Sequence, residues 1–273
     1  RLLFTSLPAL FSLTLFFSAA LLFLVELMIA KLILPLFGGT PAVWNTCMMF
    51  FQVMLLAGYG YAHLSGTKAG VNRQIILHLA ILIAACIVLP ISIPRQWGPS
   101  VEGSPIGVIL LLLLVSVGLP FLVLSSTAPL LQQWFARTGH PSAGDPYFLY
   151  SASNLGSMLA LIGYPIWIEP HFRLAAQSRS WAVGYLIVLT LTVLCAGVTR
   201  KYRSICLPHG QEKEETPEGS CLTRDSHLTY RDRGRWVLLA FVPSSLMLGV
   251  TTFLSTDVAA IPLFWIIPLS LYL

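Results

Sequence analysis

Leu7–Ala30 reads LPALFSLTLFFSAALLFLVELMIA, and this stretch decides the fold. A helix needs about 20 predominantly apolar residues to cross the hydrocarbon of a bilayer. The run reaches that length with one charge, Glu26, and it is too long for the core of a signal peptide. Working outward, similar apolar runs recur at 42–64, 74–93, 105–131, 147–168, 180–199, 236–255 and 258–273. The chain is 56% hydrophobic and 10% charged, with a mean hydropathy of +0.79. So few charges cannot clothe a soluble domain of this size. The expectation is an all-α, polytopic transmembrane helix bundle of about eight spans, with the lipid bilayer as its main partner.

Turn residues punctuate the runs: Gly38-Gly39-Thr40-Pro41, Ser65-Gly66, Pro94 to Pro105, and Gly139 to Pro146. The fourth span carries Pro120 and Pro129, so a kink is expected there. Residues 200–235 are different. They hold eight Lys/Arg and six Asp/Glu, and Gln211–Ser220 has a disorder-like composition. This segment reads as a charged linker between a six-span bundle (1–199) and the start of a second bundle (236–273). The last run ends at Leu273 while still apolar, and the first residue is Arg1 rather than Met, which suggests a fragment.

The net charge is +5 and the pI about 9.1. The cations lie between spans and no basic patch is interleaved with aromatics, so membrane orientation explains them and no nucleic-acid partner is expected. With the N-terminus in the cytoplasm, twelve Lys/Arg fall inside. Four, Lys31, Arg95, Arg173 and Arg179, fall outside. The expected location is a plasma membrane with a cytoplasmic N-terminus.

Glu26 is the strongest candidate for function. A carboxylate in a span costs about 2.5–3.5 kcal/mol at the helix centre, and less towards the ends. It is expected to face the bundle interior or a wet cavity, towards the span carrying Asn154 or the hydroxyls of span seven. Lys31 follows five residues later. Five residues turn a helix by about 140°, so the two do not share a face, and Lys31 is expected to snorkel to the interface. Gln52, Asn154 and Asp257 complete the substrate-path candidates, with His63 and His78 lesser ones. Asp257 alternatively caps the eighth span.

Span five shows two stripes. Ala152, Gly156, Ala160 and Gly163 permit close helix packing. Tyr150, Asn154, Ser157 and Tyr164 either line a cavity or bond neighbouring helices. Cys47, Cys86 and Cys195 fall in spans as small apolar packers. Cys206-x2-His209 followed by Cys221-x5-His227 matches no standard zinc spacing, so no metal or cofactor is expected. There is no phosphate loop, no His-Glu-x-x-His and no α/β pattern. No catalytic domain is expected within these residues.

Four stretches carry a family resemblance. They are Phe23–Lys31 running into Leu34–Trp44, Cys47–Gln52 with Gly58–His63, Tyr147–Ser157, and Phe241–Thr252. Together they resemble the membrane region of bacterial fused major facilitator/spermidine synthase-like proteins, over nearly the whole chain except 200–235. The resemblance implies a major facilitator-like half plus the start of a second half, and a bacterial inner membrane location. It also implies a link to polyamines, as a small cationic substrate, and an aminopropyltransferase-like C-terminal partner domain. The two functions it leaves open are a transporter-like domain and a membrane anchor or sensor for the attached synthase-like domain.

Overall fold

The structure, a computed structural model, describes residues 6–93, 105–206 and 230–253. Among these residues the fold is all-helical, with no strand. The helices are α1 (Leu7–Phe37), α2 (Pro41–Lys68), α3 (Val71–Ala85), α4 (Pro105–Leu113), α5 (Leu119–Ala136), α6 (Tyr147–Gly163), α7 (Glu169–His171), α8 (Leu174–Cys206) and α9 (Tyr230–Phe253). π-turns at Leu114–Gly118 and Tyr164–Ile168 join α4 to α5 and α6 to α7. Among the described residues five helices are long and apolar enough to cross a membrane: Leu7–Phe37, Ala42–Lys68, Val71–Val88, Ile106–Ala136 and Leu174–Tyr202. The expected eighth span, with Asp257, lies outside the described residues, as do the linker residues 207–229.

Local chemistry explains the boundaries. Gly38 ends α1 at φ 76°, a left-handed conformation that glycine adopts without penalty, and its N–H donates to Leu34 O at 3.0 Å. Pro41 then opens α2, where its missing N–H costs nothing. The prolines of the middle spans act differently. Pro120 is the second residue after the first π-turn and Pro165 lies within the second. A proline removes an N–H and crowds the preceding turn, and a widened turn absorbs both. Helix α8 runs to Cys206 and α9 starts at Tyr230, so helical ends reach into the segment expected as linker.

Residues up to Cys206 form one compact unit, and α9 belongs to a second. Within the first unit α1 is the central helix. It is apolar on every side, as a helix buried among several neighbours must be. Ser18 Oγ donates to Leu124 O on α5 at 3.3 Å, and Trp181 Nε1 on α8 donates to Leu21 O at 2.9 Å. Phe11 meets Phe135 of α5 with ring centroids 5.3 Å apart. The residue pairs 18/124 and 11/135 show that α5 runs antiparallel to α1, and 14/195 with 21/181 show the same for α8. The core at one end holds Leu7, Phe11, Leu15, Trp134 and Phe135, all fully or almost fully buried.

Close approach of α6 to α1 rests on one glycine. A Cβ on Gly156 would lie 2.3 Å from the carbonyl oxygen of Phe16. Ala160 is buried on the same side, whereas Gly163 has open space around it. The small-residue stripe thus works through Gly156 and Ala160. Gly58 does the same for α2 against α5, where a Cβ would lie 2.0 Å from Ser125 Oγ and 2.9 Å from Leu122 O.

Candidate functional site

Lys31, near the end of α1, forms an ion pair with Glu169, the first residue of α7. Its side chain is 24% exposed and that of Glu169 31%. Lys31 was expected to snorkel to the interface; the structure shows it paired with a carboxylate. Spacing gives no hint of this partner. The only signal is that both residues belong to connections at the same end of the bundle.

Glu26 is half-buried within α1. Among the described residues it makes no ion pair and no side-chain hydrogen bond. The cation closest in sequence is already engaged with Glu169. Glu26 also stays apart from Asn154. Phe16 touches Gly156, and Met28 and Ile168 line one cavity, so α1 and the α6–α7 run advance in parallel. Glu26 lies about 15 Å further along α1 than Phe16 at 1.5 Å per residue, and Asn154 about 3 Å the other way from Gly156. An axial gap of about 18 Å separates them.

Asn154 itself is exposed on α6, and Gln52 is exposed on α2, as is His63. Glu26 and Asn154 therefore do not share one site. The expected polar stripe of α6 straddles an edge. Tyr150 is 53% exposed and Asn154 exposed, whereas Ser157 and Tyr164 are buried. Ser157 Oγ donates to Ser153 O on its own helix at 3.1 Å, and Tyr164 OH donates to Gln177 Oε1 on α8 at 3.0 Å. The buried end of the stripe thus makes hydrogen bonds.

Sequence reasoning missed a buried polar cluster between α2, α3 and α5. Gln74 is its centre and is fully buried. Its Oε1 accepts from Trp134 Nε1 at 3.0 Å, and its Nε2 donates to Ser65 Oγ and Gln133 Oε1, both at 3.3 Å. One turn on, His78 Nε2 lies 3.3 Å from Thr127 Oγ1, and its ring stacks on Tyr61. A single glutamine in the first turn of a span has no spacing pattern to mark it.

Cys47 and Cys195 are buried and Cys86 half-buried, as packing residues. Cys195 Sγ contacts Thr14 Oγ1 at 3.4 Å. Among the described residues no group of His, Cys, Asp and Glu is arranged to hold a metal ion. His209, Cys221 and His227 lie outside them. No protein-family model, no curated protein and no solved structure matches this chain.

Proposed function

We propose that this chain is a transporter-like membrane domain, a major facilitator-like half with the start of a second half, that handles a small cation. Polyamines are the class implied by the resemblance to spermidine synthase-like fusion proteins. A bacterial inner membrane with the N-terminus in the cytoplasm belongs to the same reading. The observation that supports it is Glu26, an acid in an apolar helix that pairs with no cation among the described residues, where Lys31 is held by Glu169. A cation entering a low-dielectric path needs a matching charge, and an intramembrane acid is where such a match is sought.

The test is flux of labelled spermidine in cells expressing the protein, comparing wild type with Glu26→Gln and Asp257→Asn. Flux that falls in both variants supports the counter-ion role. Flux unchanged by either removes these acids from the path. A second reading, a membrane anchor or sensor for an aminopropyltransferase-like domain, is favoured by the filled core around Phe11, Trp134 and Phe135. Absence of flux for any polyamine supports that reading.

A further inference from the structure

Where α1, the π-turn after α6 and the start of α8 diverge, they leave a cavity of about 240 Å³. Leu21, Leu24 and Met28 form one wall, and Ile168 and Phe172 another. The polar groups that reach it are mostly committed to the protein. Tyr164 OH donates to Gln177 Oε1 at 3.0 Å, and Gln177 Nε2 donates to Phe172 O at 2.8 Å. Trp181 Nε1 donates to Leu21 O at 2.9 Å. Ser180 adds one hydroxyl at the exposed rim. A polar solute would find almost nothing to bond, whereas a hydrocarbon chain would find a carbon-lined slot.

The rim is chemically different. Met28 lies one helical turn before Lys31, Ile168 directly precedes Glu169, and Phe172 directly precedes Arg173. Trp167 and Phe172 are 64% and 46% exposed, and aromatics of this kind gather where headgroups begin. Lys31 and Glu169 cancel each other. Arg173 and Arg179 remain exposed, and Glu169 is the only acid between residues 160 and 181. Gln177 N–H donates to Arg173 O at 3.0 Å, so Arg173 opens the first turn of α8 above the cavity. Arg179 Nε is bonded to Ala175 O at 3.3 Å on its own helix. Among the described residues the rim is therefore cationic, and the slot below it is apolar.

We propose that this cavity seats an acyl chain of an anionic glycerophospholipid, with the lipid phosphate against Arg173. Basic rims at the ends of membrane helices attract anionic headgroups, and guanidinium matches phosphate geometry. The proposal rests on these helices lying in a bilayer and not on transport, and its test reads no flux.

The protein is reconstituted in phosphatidylcholine vesicles containing phosphatidylglycerol with a diazirine in its acyl chain. After irradiation, labelled residues are mapped by mass spectrometry. Labels are expected on Leu24, Met28 and Phe172, well above those on the exposed Ile76 and Ile83 of α3. Ser180→Trp, which fills the rim, is expected to cut cavity labelling severalfold and leave α3 labelling unchanged. Arg173→Gln is expected to lower labelling by the phosphatidylglycerol probe severalfold. It should leave a phosphatidylcholine probe with the same chain unaffected. If Ser180→Trp does not fold, the two-probe comparison in Arg173→Gln decides alone. Even labelling of the cavity and α3, equal labelling by both probes in wild type, or insensitivity to Arg173→Gln would overturn the proposal.

Discussion

Lys31 on α1 pairs with Glu169 on α7, and this contact ties the far end of the central helix to the turn that leads into α8. Both side chains are partly exposed, so water screens them and the pair is worth at most about 1 kcal/mol. A double-mutant cycle of Lys31→Met and Glu169→Gln, followed by thermal unfolding in detergent, should return a coupling of roughly 0.5–1 kcal/mol. The charge reversal Lys31→Glu with Glu169→Lys should recover most of the loss seen in either single reversal. Strict additivity of the two single variants would show that the contact does nothing for stability.

Gly156 and Gly163 lie on one helix and should respond with opposite signs. A Cβ at Gly156 meets backbone at 2.3 Å, and backbone cannot rotate away. Gly156→Ala must therefore push α6 off α1, at a cost of about 1–3 kcal/mol. Gly163 has nothing within 4 Å. There, Ala removes backbone freedom from the unfolded chain and should gain up to about 1 kcal/mol. Unfolding midpoints of the two variants check the contrast, and a Gly156→Ala protein as stable as wild type would contradict the packing.

These particulars show what was readable in advance. Five of the first six apolar runs fall in helices long and apolar enough to cross a membrane, because those are properties of a single segment; 147–168 is helical but is not among the five, and 74–93 is helical only to Val88. Their ends were less readable. Helix α1 runs through Pro35 to Phe37, since only Gly38, with its positive φ, breaks it. Helix α8 starts at Leu174, where polar residues still meet protein. Relations between segments were least readable. At 100° per residue, Tyr150, Asn154, Ser157 and Tyr164 fall in one sector, but that sector lies at the edge of the buried face, which the neighbours decide. The partner of Lys31 and the role of Gln74 likewise depend on which helices touch. Helix α9 covers the seventh expected run from its start to Phe253.

Gln74 links three helices through one amide, with Trp134, Ser65 and Gln133 as partners. Gln74→Leu would strand the Trp134 N–H in a buried site, and an unsatisfied donor costs about 1–3 kcal/mol. Changing Gln74 to Leu and Trp134 to Phe together should recover part of that loss, because the stranded donor goes with the indole. Tryptophan emission should also shift in Gln74→Leu, reporting the altered surroundings of Trp134. An unchanged midpoint in the single variant would mean that the cluster contributes nothing.

Glu26 sets stability against activity. A partnered acid would leave a polar group stranded when replaced by leucine, making Glu26→Leu worse than Glu26→Gln. Among the described residues Glu26 has no such partner, so nothing is stranded. The cost of holding a carboxylate in a span, at most about 2.5–3.5 kcal/mol and less towards the helix end, should instead be relieved. Glu26→Leu is expected to unfold at a higher temperature than wild type, with Glu26→Gln between them. If Glu26 is the counter-ion proposed above, both variants should lose spermidine flux while folding at least as well as wild type. That combination separates a functional acid from a structural one. A Glu26→Leu protein less stable than Glu26→Gln would reveal a hidden polar partner and recast Glu26 as a packing hydrogen bond.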